Sequence, residues 1–205
     1  MTNNDPAENK PLGPTPADVP LSKLPTVTLT DDQLRDAQRI AEARNESYDK
    51  IDGGRVCGDQ TSTDAHKTGV IGELVYATRY NGQIDDSIYT YGDDGYDFSG
   101  AITGYDFSGA ITVDVKTTGT HLDRPALIVP VDPVPTANLY FLVHRIGEKT
   151  ARIIGFATHA TVTDQTPVRK PGTDLNYVVE QDELWLPPDL HDDRPDELSE
   201  HSPSP

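Results

Sequence analysis

The sequence predicts an α/β chain of the α+β type, in which a central mixed β-sheet is flanked by helices and both ends are disordered. Three observations carry that expectation. Two stretches with helical spacing, residues 30–48 and 63–81, precede a series of β-branched and aromatic runs. Residues 139–146 and 151–158 are apolar on both faces and are separated by Gly147-Glu148-Lys149, as in a hairpin inside a covered sheet. Polar, proline-rich segments bound this body on each side.

Taken in order, residues 1–27 carry Pro6, Pro11, Pro14, Pro16, Pro20 and Pro25 and too little apolar surface to offset the entropy of ordering. They are expected to be a disordered tail. Thr30-Asp31-Asp32-Gln33 is a capping box, which starts a weakly apolar helix running to about Tyr48 and covering an edge. Thr63 or Asp64 caps a second helix that Asn81-Gly82 ends, with Val70, Ile71, Leu74, Val75 and Thr78 as its buried stripe. Glu73 lies on the flank of that stripe with His66, Gly69, Tyr76 and Tyr80, and Gly69 and Gly72 admit a close approach.

Strand signals follow at residues 87–91, at 96–99 or its copy, and most strongly at 110–118. The connection from Gly119 to Ala137 holds Pro125, Pro130, Pro133 and Pro135, so it excludes a long helix and leaves a short extended piece at 126–129. After the hairpin, residues 176–180 add an edge strand and residues 182–186 close the body. Residues 187–205 are proline-broken and acidic, a second disordered tail, so the folded domain spans 28–186.

The net charge is −17, from 34 acidic and 17 basic residues. Removing the nine acids and three bases of the tails leaves 25 acids against 14 bases in the body. So negative a body opposes generic attraction to nucleic acid, whose binding rests on phosphate neutralisation. Concentrated salt screens such repulsion within a few ångströms, and the aspartate excess with only seven lysines resembles a halophile's composition. A single cysteine, Cys57, excludes an internal disulfide framework, a four-cysteine cluster and a Cys-rich zinc site. No apolar run approaches the ~20 residues that span a bilayer and no signal-peptide core is present, which gives the expectation of a soluble cytoplasmic protein without a membrane partner.

Gly95-Tyr96-Asp97-Phe98-Ser99-Gly100-Ala101-Ile102-Thr103 is repeated without change as residues 104–112. Nine is odd, so one strand continued through both copies would reverse the facing of the second copy's side chains. A turn, a bulge or a longer hairpin must absorb the insert. Pairing Asp106 opposite Asp114 leaves Gly109-Ala110-Ile111 as the loop, and pairing Asp97 opposite Asp114 leaves Tyr105-Asp106. The second copy is favoured, because it keeps its continuation into the 113–116 strand, and the first copy is expected to be a surface excursion.

The strand Ile111-Thr112-Val113-Asp114-Val115-Lys116-Thr117-Thr118 carries the chemistry. Asp114 and Lys116 leave one face, while Ile111, Val113 and Val115 leave the other. An aspartate and a lysine side by side, with Asp106 or Asp97 upstream and Glu73 on a helix, can bind a hard divalent cation and activate water. Each also has an ordinary explanation, namely the solvent face of a strand for Asp114 and Lys116 and a flank carboxylate for Glu73. His66 and His121 read as solvated histidines, Tyr76 and Tyr80 as packing residues. Arg79, Arg124, Arg145 and Arg152 could meet phosphates, although ion pairing is expected in so acidic a body.

The ordered set Gly72-Glu73, Gly-Tyr-Asp-Phe and Val113-Asp114-Val115-Lys116-Thr117-Thr118 resembles the PD-(D/E)XK nuclease superfamily over roughly residues 63–186, and its later strands are similar to those of small phage and archaeal members. A tyrosine stands where the motif usually has proline before its aspartate, and the usual crossover helix after the Asp-x-Lys strand is excluded. The resemblance implies a restriction-endonuclease-like core and a Mg²⁺-dependent, or Mn²⁺-dependent, nuclease acting on DNA, often as a homodimer. Asp106 (or Asp97) and Asp114 would bind metal, with the Val115 carbonyl as a further ligand. Glu73 would hold a metal-bound water or a second ion, and Lys116 would assist the attacking water or the transition state. Two other functions are carried beside it. One is a catalytically inactive module of that fold binding DNA or a partner, and the other is an acidic DNA mimic or virion accessory protein.

Overall fold

The computed structural model of the chain describes residues 11, 13–48, 62–82, 96–100, 111–119, 122–169, 174–187 and 190. The expected strand at 87–91, Asp106, Cys57 and His121 lie outside the described residues. The fold is mixed α/β. Its main sheet has five strands in the order β1-β6-β5-β3-β2, where β1 is Thr26–Thr28, β2 Phe98–Gly100, β3 Ile111–Thr118, β5 Leu139–Arg145 and β6 Thr150–Thr158. β3 and β5 are parallel and the other neighbours antiparallel. A second sheet, β4-β8-β7, is built from Leu127–Pro130, Leu175–Val179 and Val168–Arg169.

Two helices cover one face of the main sheet. α1, Asp31–Tyr48, begins with the reciprocal cap that its sequence predicts: the N–H of Gln33 donates to Thr30 Oγ1, and the N–H of Thr30 donates to Gln33 Oε1. α2, Ser62–Tyr80, ends as Asn81-Gly82 predicts, with Asn81 at φ 55° and the N–H of Gly82 returning to the Ala77 carbonyl. It starts at Ser62, so Thr63 and Asp64 lie inside its first turn; a run of residues suited to capping leaves that boundary undetermined by sequence. Val70, Ile71, Leu74 and Val75 are buried on this face with Ile111, Val113, Val115, Leu139, Phe141 and Val143. Thr78 is corrected from the buried stripe: it is exposed, and its hydroxyl accepts from Gln33 Nε2. Tyr76 is buried against Phe98 and Phe141, ring centroids 4.7 and 4.9 Å away, so packing accounts for it.

The other face is covered by the second sheet and by chain that the composition assigned to a tail. Tyr140, Leu142 and Ile154 pack there with Leu24, Leu127, Val129, Val179 and Leu184. Ile153 and Ile154 serve opposite cores by ordinary strand alternation, and the β-bulge between β5 and β6 at Ile154 lets Ile153 and Phe156, three residues apart, serve the same one. The reading of residues 1–27 as wholly disordered is corrected from residue 13 onward. Leu24 is buried, Val27 sits in β1 against Ala151, and the N–H of Ile153 donates to the Pro25 carbonyl. Prolines are tolerated here because β1 is an edge strand. The 176–180 segment is a strand as expected, but it pairs with β4 and not with the main sheet. The crossover from β3 to β5 is extended, carrying β4, and Gln181 fastens it by donating from Nε2 to the Pro125 carbonyl. α3, His159–Thr163, is a single short helix capped by Thr158.

α2 meets β3 at Gly72. A Cβ there would lie 1.8 Å from Thr117 Oγ1, whereas a Cβ at Gly69 meets nothing within 4 Å. The two glycines of one helix therefore predict opposite outcomes in thermal unfolding. Gly72→Ala should lower stability by ~1–3 kcal/mol through overpacking. Gly69→Ala should raise it by ~0.5–1 kcal/mol through reduced backbone entropy of the unfolded chain. Equal shifts of the same sign would contradict the close approach.

Candidate functional site

The outer edge of β3 is where the sheet opens. β2 pairs with Ile111, Thr112 and Val113 only, and beyond that point Asp97 takes over. Its N–H donates to the Val113 carbonyl at 2.8 Å, and its Oδ2 accepts from the Val115 N–H at 2.6 Å. A side-chain carboxylate thus replaces the next rung of the ladder. Along a strand, alternate residues aim both backbone groups to one side, so the Val115 carbonyl leaves β3 on the same edge as the Asp97 carboxylate.

The register pairs Phe98 with Val113, which sets Asp97 across from Asp114. The preference for the second copy of the nonapeptide as the partner of β3 is corrected: the first copy forms β2. Ile111 supplies the physical reason. Pairing with the second copy would put Ile111 in the loop, whereas here it is in β3 and only 6% exposed, packed in the helix-side core. Asp97 is therefore the copy seated at this edge, and Asp106 lies outside the described residues.

Asp114 is buried and Lys116 half-buried, with Nζ 2.7 Å from Asp114 Oδ2. They share a face of β3, as their spacing predicts, while Val113 and Val115 pack under α2. Glu73 comes from α2, next to the Gly72 that lies against Thr117. It is 5% exposed and receives both terminal nitrogens of Arg44, at 2.6 and 3.0 Å. Sequence reading missed Arg44. The signal was present, because Arg44 follows Ala37, Ile40 and Ala41 at helical spacing, and an arginine on a buried stripe needs a carboxylate partner.

These groups act on one another. Burial pushes the Asp97 carboxyl well above the usual carboxylate range, and the charges of Glu73 and Asp114 push it further. The Val115 N–H and the Lys116 ammonium oppose the shift without cancelling it. Tyr140, paired with Asp114 across β3 and β5, is pushed up to about 12 by burial and by the Asp114 charge. Glu73, Asp97, Asp114 and Lys116 thus form one electrostatic unit.

The donor set suits a hard divalent cation, since three carboxylates and a backbone carbonyl are oxygen ligands and the cluster is short of positive charge. The geometry is closed on itself all the same. Glu73 is turned to Arg44 and Asp114 to Lys116, and among the described residues no group of three or more His, Cys, Asp or Glu is drawn together closely enough to hold a metal ion. His66 is half-buried in the first half of α2. Of the four arginines considered for phosphate contact, Arg124 is exposed and Arg145 donates to Thr68 Oγ1 at 3.0 Å instead of forming the expected ion pair.

The raised Asp97 pKa has a definite sign in stability. Between the unfolded and folded pKa values the native state binds more protons, so stability falls as pH rises through that window. Asn at this position can still accept from Val115 and carries no charge. Asp97→Asn in EDTA should therefore leave the melting temperature unchanged in acid, below the unfolded carboxylate pKa, and raise it progressively towards pH 8. An equal loss of stability at every pH would show that the carboxylate is not strained by its neighbours.

No known protein family, curated protein or solved structure matches the chain, so the chemistry of this edge rests on its own residues.

Proposed function

We propose that this chain is a divalent-metal-dependent nuclease with a restriction-endonuclease-like core, hydrolysing phosphodiester bonds of DNA at the open edge of β3. The observation that carries the proposal is the electrostatic unit itself. Asp97 lies within the fields of Glu73, Asp114 and Lys116 at the edge of β3, and its carboxyl is destabilised as a charge by burial and by the two neighbouring carboxylates. The hydrogen bond to Val115 does not require a charge, and perturbed groups of this kind gather where chemistry is done.

Asp97, Asp114 and the Val115 carbonyl would hold a Mg²⁺ ion, or Mn²⁺ in its place, which supplies charge neutralisation at the phosphate and a more acidic water. Each residue's part follows from its place. The Val115 N–H fixes the Asp97 carboxylate at the edge. Lys116, on the same face as Asp114, orients the attacking water and offsets negative charge as the phosphorus becomes five-coordinate. Glu73 would receive a proton or hold a water once released from Arg44, so opening of the Arg44 pair is part of loading the site.

A second reading, a catalytically silent module of the same fold that binds DNA or a partner, is favoured by one observation. Both Glu73 and Asp114 already have cationic partners in this arrangement. Cleavage decides between them. Supercoiled and linear DNA would be incubated with the protein at low and multimolar KCl, with Mg²⁺, Mn²⁺ or EDTA. The nuclease proposal expects metal-dependent cutting that falls at least ~100-fold in Lys116→Ala and in Asp114→Asn. Folded wild-type protein that cuts nothing in any metal or salt would leave the binding module as the better account.

A further inference from the structure

Arg152 has no role in the fold or in the site described above. It lies on β6 and is half-buried, and no hydrogen bond or ion pair ties its side chain to any described residue. Its Nε is buried without an acceptor, while its terminal nitrogens are not among the buried atoms. The stem is thus held inside and the guanidinium fork is presented to solvent. With acids outnumbering bases two to one, ion pairing is the expectation for every arginine. Arg35 and Arg39 on α1 meet it with Asp32 and Asp36.

Strand register places Arg152 with respect to Lys116. Ala151 and Ile153 face the helix-side core, so Arg152 faces the other way. It pairs with His144 on β5, and His144 pairs with Thr118 on β3. Thr118 is two residues beyond Lys116 on the same face, and its Oγ1 is also buried with no partner among the described residues. One transverse row therefore runs Thr118, His144, Arg152 across three strands, starting beside Lys116. Two strand spacings of ~4.8 Å and two residues of ~3.3 Å put the Arg152 backbone roughly 12 Å from that of Lys116.

From this row we infer that Arg152 is a substrate-positioning residue, a bidentate contact to a phosphate of the DNA backbone other than the one at the β3 edge. A planar fork with a fixed stem and no carboxylate partner among the described residues matches phosphate geometry. It also gives a body this acidic one local point of attraction for a polyanion, two strands from the reacting edge. The inference rests on the nuclease proposal for its setting, but is tested apart from it.

The test is binding of a fluorescein-labelled DNA duplex by the full chain, followed by anisotropy across a salt series with Ca²⁺ in place of Mg²⁺. Arg152→Gln should weaken binding roughly tenfold and reduce the slope of log K against log salt by about one. Arg152→Lys should restore the slope but only part of the affinity, and Arg35→Gln should change neither. Melting temperature supplies the readout that a structural role would move: Arg152→Gln should leave it unchanged or raise it. The inference is overturned if Arg152→Gln binds as the wild type does, if its affinity falls only together with its melting temperature, or if the wild type binds no duplex. Cutting by the wild type with normal binding by Arg152→Gln would sink this contact alone. Lost binding in Arg152→Gln with no cutting by the wild type would sustain the contact and sink the nuclease.

Discussion

One carboxylate fastened to one strand edge organises this molecule. Asp97 ends the pairing of β2 with β3 by inserting its side chain where a backbone group would be, accepting from the Val115 N–H at 2.6 Å. That hydrogen bond satisfies an edge donor which would otherwise be left open, and it keeps the carboxylate beside Asp114 and within the field of Glu73. Everything distinctive about the site follows: the opening of the sheet, the edge-facing Val115 carbonyl, and an acidic group held where its charge is penalised. The helix side answers this constraint, since Gly72 lets α2 settle on Thr117 and the neighbouring Glu73 acts on Asp97 through its charge.

The balance of charge explains why the site is both stable and unfinished. Three carboxylates face Lys116 and Arg44, so the unit lacks one positive charge when every group is ionised. Arg44 and Glu73 form a two-pronged pair with Glu73 buried, and breaking such a pair by removing one partner costs ~3–5 kcal/mol. The remaining deficit falls on Asp97, whose carboxyl is pushed well above the usual carboxylate range by burial and by the charges of Glu73 and Asp114. A divalent cation would resolve it differently and free Glu73 or Asp114 from its present partner. On this account the closed arrangement and the proposed metal site are two states of the same groups.

How much of this was legible depends on the range of the interaction. α1 could be read from end to end because its cap lies within four residues, Thr30 to Gln33, and β3 because its alternation is local. The helix Glu, the hairpin Asp and the strand Asp-x-Lys were all visible as residues. Which aspartate belongs to the edge was not, since the two nonapeptide copies are identical and only the burial of Ile111 separates the two registers. β1 escaped notice because three residues among prolines carry no pattern, and their pairing with β6 spans more than a hundred residues of chain. The second sheet was hidden for the same reason: β4 finds β8 about fifty residues later, and neither strand's pattern names its partner. Arg44 and Arg152 differ in kind. The first was readable from its helical stripe, whereas the second's lack of a side-chain partner among the described residues is visible only in three dimensions.

The central claim is that the carboxylates at the β3 edge make a divalent-cation site with Asp97, not Asp106, as its hairpin ligand. Mn²⁺ binding measured by electron paramagnetic resonance, comparing wild type with Asp97→Asn and Asp106→Asn, tests it most directly. The account predicts that Asp97→Asn abolishes tight Mn²⁺ binding while Asp106→Asn binds as the wild type does. Loss of binding in Asp106→Asn with retention in Asp97→Asn, or no Mn²⁺ bound by the folded wild type, would contradict it.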